Sequence, residues 1–450
     1  MALNAKMKGN LTVGDPLTGM VKYLIPLVLG NLFQQFYNIA DSIIVGRMIS
    51  ANALAAVGAT ATLTALFVMV ALGTGVGCSI VISQLFGAGK LEKLKTAIST
   101  EIISVLVMSA VLTLIGILFS GRLLTWLNTP VEIYADAKIY LDIYFYGFFF
   151  LFLYNAFTSV FNALGDSKKP LYFLIFSSAL NIGLDIFLIG PMDMGVAGAA
   201  WATLIAQAVS AVLSFVVLIK KLSGIETESY PKFDRGLLKT MVKVALPSIL
   251  QQSVVSIGSV LIQACINQFG AAFLAGYTAG SRIDGIAIVP LVNCGNAVST
   301  FVAQNVGAGK LERAKQGCRI GVGMAAALSL VLGLVLHFTG KAFVGLFMDS
   351  AEAADSIATG TQYLLIVSKC YFLMGLMKIF AGVLRGAGDM KCFVYCTMIS
   401  LGTRVILTYA FAGATQGMII AWAICIGWGV AALVAYLRYR QGGWQKVKLV

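Results

Sequence analysis

Apolar residues run through the chain in long blocks, each closed by a short stretch holding Gly, Pro, Lys or Asp. A helix needs about 20 apolar residues to cross a bilayer, and the blocks are at least that long. They fall near 20–46, 52–84, 97–120, 134–163, 170–190 and 196–219, then near 240–268, 272–303, 318–340, 358–384, 391–413 and 416–437. Each is expected to be a helix, because a backbone in lipid must satisfy its own hydrogen bonds. The pattern predicts an all-α membrane protein of twelve spans.

The second six blocks repeat the first six. Ser83 to Lys93 (SQLFGAGKLEK) recurs as Ala303 to Arg313 (AQNVGAGKLER), and Phe157 to Asp166 (FTSVFNALGD) recurs as Phe380 to Asp389 (FAGVLRGAGD). Pro26 and Pro247 sit alike in the first and seventh blocks, where a missing backbone donor marks each as a hinge. Six spans per repeat return the chain to its starting side. The halves are therefore expected as two six-helix bundles, related by a pseudo-two-fold axis along the membrane normal. The expected division is 1–219, a linker at 220–239, and 240–450.

Charge supports this layout. The chain holds 32 Lys and Arg against 19 Asp and Glu. The two ends and the even-numbered loops carry 24 of the 32, the opposite loops carry 4, and 4 lie inside spans. Basic loops stay in the cytoplasm, so both termini are expected there, most simply in a bacterial cytoplasmic membrane. The opposite loops lean acidic, with Asp193, Asp349 and Glu352 among them. The basic start (Lys6, Lys8, Lys22) and the apolar block containing Pro26 read as a retained helix rather than a cleaved leader.

Composition excludes most other classes. Hydrophobic residues make up 59% and charged residues 11%, too few charges to clothe a soluble fold of this size. No basic stripe stands on a soluble domain, so no nucleic-acid partner is expected. The eight cysteines mostly lie in apolar blocks without metal-ligand spacing, and His337 reads as a helix-end residue. The Gly-Ala-Gly-Lys pieces lack the first Gly and the final Ser or Thr of a phosphate loop. They read as helix-to-helix turns. No enzyme, cofactor or obligate protein partner is expected, and an ion gradient is left as the energy source.

Acids inside spans are costly and mark function. Asp41 lies late in the first block. Asn181 and Asp185 stand one turn apart on a single face of the fifth, and Thr203 lies at a matching depth in the sixth. Their repeat equivalents are Ile406 for Asp185, Ile424 for Thr203 and roughly Ile262 for Asp41, so the set belongs to one half. Carboxylates without a neighbouring cation can take up and release protons, and with Asn and Thr oxygens the same set suits Na⁺. In the second half Asp284 has cationic neighbours: Arg282, Lys369, Lys378 and Arg404 fall inside spans. Gln34, Tyr37, Asn155, Gln252 and Asp284 are candidates for lining a substrate cavity.

Taken together, several pieces resemble the multidrug and toxic compound extrusion (MATE) family. They are Pro26 with Asn38-Ile39-Ala40-Asp41, Ser83-Gln84 with Gly87-Ala88-Gly89, Asn181 to Asp185, Gly198 to Thr203, and Leu384 to Asp389. The resemblance implies a cation-coupled antiporter, driven by H⁺ or Na⁺, that exports cationic or amphipathic compounds by alternating access. It assigns the coupling ion to Asp41, Asn181, Asp185 and Thr203. One branch of the family also uses acids in the seventh and tenth helices, where this chain has Gln251, Gln252, Lys369 and Lys378. Two alternatives remain open: a lipid-linked oligosaccharide flippase of the same superfamily, which the four basic span residues would suit, and a passive channel. Reporter tags at both termini and within 221–238 should all register on the cytoplasmic side. An external linker between cytoplasmic termini would overturn the parallel repeat.

Overall fold

The computed structural model describes residues 9–347, 354–415 and 417–450. Lys6, Lys8, Asp349 and Glu352 lie outside them. The described residues form helices and turns, with no strand among them. The first half holds α1 (Pro16–Met48), α2 (Ala51–Gly87), α3 (Leu91–Trp126), α4 (Val131–Ala163), α5 (Lys168–Ile189) and α6 (Gly195–Ser223). The second half holds α7 (Arg235–Ile266), α8 (Gly270–Ala287), α9 (Val289–Gly307) and α10 (Leu311–Gly345). It ends with α11 (Ala354–Lys369), α12 (Tyr371–Ala387), α13 (Met390–Phe411) and α14 (Ile419–Arg440).

Among the described residues, fourteen helices account for twelve spans, because two spans are broken. Helices α11 and α12 meet at a bend of 50° and together make one span. The apolar run Arg235–Gly307 has 73 residues. At 1.5 Å per residue that is about 110 Å, too long for a single crossing of about 30 Å. It breaks at Asn267–Phe269, next to Gly270 with φ +82°, so α7 is one span and α8 with α9 the next. Several helices overrun their apolar blocks. The charged starts Leu91-Glu92-Lys93 and Leu311-Glu312-Arg313 are good helix formers and continue the helix beyond its apolar part.

The turns repeat almost bond for bond. Ala88 N–H donates to Gln84 O (2.8 Å) and Lys90 N–H to Leu85 O (3.2 Å). In the second half Ala308 N–H donates to Gln304 O (3.0 Å) and Lys310 N–H to Asn305 O (2.8 Å). Gly89 and Gly309 take φ of +71° and +72°, a conformation only glycine enters cheaply. These are helix C-caps, as the sequence predicts. The next turns match too. Asp166 pairs with Lys221 at 2.9 Å, and Asp389 pairs with Arg438 at 2.8 Å.

The chain divides into two compact units, Ile25–Ile249 with Gly9, and Asn10–Leu24 with Leu250–Val450. The divisions fall inside α1 and α7, beside Pro26 and Pro247, rather than in the 220–239 segment. The reason is in the hydrogen bonds. Within the second unit Leu11 N–H donates to Gln304 Oε1 (2.8 Å), Lys310 Nζ to Thr12 O (2.9 Å), and Arg313 to Gly14 O (2.9 Å). Within the first unit Lys95 Nζ donates to Ile225 O (2.6 Å) and Asp234 N–H to Thr100 Oγ1 (3.1 Å). The segment leading into each proline-containing helix is thus fastened to the opposite repeat. Asp15 caps α1 by accepting from Thr18 N–H (2.8 Å), which holds its carboxyl below the usual carboxylate range. Asp234 caps α7 through Leu237 N–H (2.8 Å).

Small residues set how closely helices approach, as is common in membranes. A Cβ on Gly77 would lie 2.3 Å from Ala245 Cα, and one on Gly73 would lie 2.8 Å from Ile249 Cα. The Gly73-x-x-x-Gly77 face of α2 therefore seats the first half of α7. In the second unit α9 and α12 meet at Gly295 against Gly382 and at Ser299 against Gly386. A Cβ on Gly309 meets nothing within 4 Å, so Gly309→Ala isolates the conformational cost of the turn. That cost is about 1 kcal/mol, and the unfolding temperature in detergent should fall by roughly 1–3 °C. An unchanged or raised value would mean the positive φ is not required.

Candidate functional site

Four helices of the first unit converge on one buried polar site. Counted from the helix ends away from the Gly-Ala-Gly-Lys turn, Asp41 on α1, Asp185 on α5 and Thr203 on α6 lie roughly 6–12 Å deep at 1.5 Å per residue. Helix α4 adds Tyr140 and Tyr144, whose rings stack at 6.1 Å. Asn181 (1% exposed) and Asp185 (0%) are fully buried. Val45, Tyr140, Ile143, Ile189, Val196 and Ala199 form the apolar packing beside them.

The geometry is that of a carboxyl pair. Asp41 and Asp185 are in side-chain hydrogen-bond contact. Ionised carboxylates are acceptors only, so such a contact closes around a proton or a metal cation. With its amide set by the surrounding network, Asn181 donates to Asp185 Oδ2 (2.9 Å) and accepts from Thr203 N–H (3.1 Å). Tyr37 bonds the Thr203 side chain. Asp41 Oδ1 and Asp185 Oδ1 are buried with no hydrogen-bond partner, leaving acceptor capacity that an oxygen-seeking cation can use. The described ion pairs of the first unit, Lys138–Asp142 and Lys221–Asp166, do not involve either acid.

The structure brings Asp41, Asn181, Asp185 and Thr203 together, and adds Tyr37 from the candidate cavity residues. Gln34 is exposed. Asn155 is engaged with Leu151 O (2.8 Å). Gln252 and Asp284 belong to the second unit. Asp284 accepts from Tyr371 (2.7 Å) and Tyr363 (3.3 Å), with the Arg404 charge nearby. Its expected neighbour Arg282 is exposed, one residue round the helix from the buried face. Lys369 is exposed too, in a groove of about 350 Å³ with His337 and Phe372. It is not grouped with Lys378.

The repeat equivalents show why the second unit lacks this site. Ile262 and Ile266 pack with Ile420 into an apolar plug lined by Val405 and Tyr277. Ile424 is 4% exposed, but Ile406 is 68% exposed, so Ile406 faces away from the plug. The sequence reading missed Glu101, which is 1% exposed and accepts from Ser159 Oγ at 2.9 Å. It is the only charge within the predicted 97–120 span, a signal that could have found it. Tyr140 and Tyr144 were also missed, because aromatic residues at helical spacing look like ordinary core.

The apolar passes of the described residues, a two-fold sequence repeat and a buried carboxyl pair mark a polytopic membrane transporter. The MatE family model matches residues 26–187 and 247–410, nearly the same portion of each repeat. The probable multidrug resistance protein YpnP of Bacillus subtilis is 30% identical over 445 residues, covering 98% of each chain. A second Bacillus subtilis relative, the probable multidrug resistance protein YoeA, is 28% identical over 96% of this chain and 94% of its own. Among solved structures, an outward-facing multidrug resistance MATE family transporter of the MOP superfamily superposes with a TM-score of 0.89. It is 25% identical and covers 98% of this chain and 99% of its own. The chain belongs to the MATE family, and it is a transporter rather than an enzyme.

Asn181→Ala would strip the amide donor from Asp185 Oδ2. An orphaned buried acceptor costs about 1–3 kcal/mol, so thermal unfolding in detergent should shift down by a few degrees. An unfolding temperature equal to wild type would place the amide outside the network.

Proposed function

We propose that the protein is a cation-coupled antiporter that exports small cationic or amphipathic organic compounds. Binding of H⁺ or Na⁺ at Asp41 and Asp185 biases one of two alternating-access states. The observation that carries this reading is the Asp41–Asp185 contact in a buried site without an ion-paired base. A carboxyl pair closed by a cation and opened by its loss can serve as a coupling element, because each ionic state favours a different arrangement of α1 against α5. Asn181 fixes Asp185, and Tyr37 with Thr203 supplies neutral oxygens. Pro26 and Pro247 are the proposed hinges, where the missing N–H lets each helix bend. Both termini are assigned to the cytoplasm, on the asymmetry of Lys and Arg. The relatives named as multidrug resistance proteins support export of small organic compounds.

Asp41→Asn and Asp185→Asn keep size and polarity but remove the ionisable group. In proteoliposomes with pH and Na⁺ gradients imposed separately, each variant should lose gradient-driven transport by at least about tenfold while still inserting. Thr203→Ala should lose less, since one neutral ligand contributes less than a charge. Near-normal coupled transport by the Asp41→Asn, Asp185→Asn double variant would reject the assignment.

A further inference from the structure

The first unit holds a buried acid that the Asp41–Asp185 pair does not use. Glu101 lies on α3, about 15 Å from the helix start at Leu91 at 1.5 Å per residue, in the half of the unit nearer the Gly-Ala-Gly-Lys turn. Asp41 and Asp185 lie toward the opposite end. Cys78 of α2 and Ser159 of α4 contact the carboxyl. The helices are close here, since a Cβ on Gly75 would lie 3.2 Å from Ser159 Cβ. Glu101 is 1% exposed and Ser159 7%. Among the described residues no cation is paired with this acid. Lys95, on the same helix, donates to Ile225 O and lies over the Tyr230 ring. Lys239 and Lys243 of α7 are exposed. An unpaired acid inside a span marks function.

The hydrogen bonds around it call for a proton. Ser159 Oγ lies 2.9 Å from Glu101 Oε1 and 2.8 Å from Ala156 O. A hydroxyl has one hydrogen to give. Beside a carboxylate, both of these neighbours would be acceptors and one would go unmet. A protonated Glu101 instead donates its O–H to Ser159 Oγ, and Ser159 gives its own hydrogen to Ala156 O. Glu101 Oε2 is buried with no hydrogen-bond partner, and the Cys78 thiol beside it is a weak donor. A neutral carbonyl oxygen bears that far better than a buried charge. The same layer of helices seats the start of α7. Thr100, the residue before Glu101, accepts from Asp234 N–H (3.1 Å). Gly77, the residue before Cys78, is the position whose Cβ would lie 2.3 Å from Ala245 Cα. Ala245 stands just ahead of Pro247.

We propose that Glu101 is a second proton-binding site, loaded while α2, α3 and α4 are packed together, and that release of its proton loosens the first half of α7 from them. In the release step the carboxyl O–H bond breaks and the proton passes to water on the side of the Gly-Ala-Gly-Lys turn. The carboxylate left behind needs donors that Ser159 and Cys78 cannot supply, so it draws water into the layer on which α7 rests. The site goes beyond the Asp41–Asp185 pair, and it gives the Pro247 end of α7 a proton to respond to.

Infrared spectroscopy of the purified full chain in nanodiscs, titrated with no gradient, reads the acid directly. In the Asp41→Asn, Asp185→Asn double variant a protonated-carboxyl C=O band should persist at low pH and fade as pH rises. Adding Glu101→Gln should remove that band, and adding Ser159→Ala should shift its frequency. Hydrogen exchange reads α7. In wild type the protection factors of amides 235–249, corrected for the intrinsic pH dependence of exchange, should fall about tenfold over the same titration. In Glu101→Gln, which keeps the shape of the loaded acid, they should stay high throughout. The absence of a Glu101-dependent band, or an equal fall of protection in Glu101→Gln, would overturn the proposal. If Glu101→Gln does not fold, the Ser159→Ala shift decides, and an unmoved band would overturn it. The infrared arm lacks both coupling acids, so its outcome is independent of whether Asp41 and Asp185 carry the coupling ion.

Discussion

A carboxyl group in a low-dielectric interior must find a proton, a cation or a set of donors. That constraint organises the first unit. Asp185 is fully buried, and what surrounds it answers the need piece by piece. Asn181 gives it one donor, Asp41 shares the other side, and Tyr37 extends the polar contact to Thr203. The apolar cluster from Val45 to Ala199, which includes Tyr140, packs beside the site. The pair is economical because it leaves acceptor capacity unfilled, which a purely structural network would not do.

The two units share their hinges, caps and turns, yet differ at this level of the bundle. The second unit carries an isoleucine plug where the first carries acids. Its ionisable groups lie elsewhere, around Asp284 and the basic side chains of α12 and α13. Identical turns with different interiors separate two tasks. The turns, with φ near +72° at Gly89 and Gly309, fix how helices are joined. The interiors decide which ion or ligand each unit can hold.

Much of this was legible in the sequence because it depends on local rules. Gly-Ala-Gly-Lys reads as a turn since no other residue takes its positive φ cheaply. Asn181 and Asp185 read as a pair since four residues make one turn. What escaped depends on rotation about a helix axis, which a span boundary does not fix. Ile406 aligns with Asp185, yet one is 68% exposed and the other fully buried. Lys369 and Lys378 look equivalent in sequence, but the 50° bend between α11 and α12 separates their environments. Arg282 neighbours Asp284 in sequence and points elsewhere for the same reason. The anchoring of 225–234 on α3 was invisible because its partners, Lys95 and Thr100, lie far off in the chain.

The fastening of Asn10–Leu24 to the second unit and of 225–249 to the first has a consequence for biosynthesis. The first unit cannot be completed when its sixth helix emerges, because its last piece, ending at Ile249, is made afterwards. The segment Leu11–Gly14, ahead of α1, must in its turn wait for Gln304, Lys310 and Arg313 before its acceptors and donors are met. Neither half-chain, made alone, would carry all of its own unit. The gene order thus commits the protein to be assembled as one continuous polypeptide, with its first segment settling among the last to be placed.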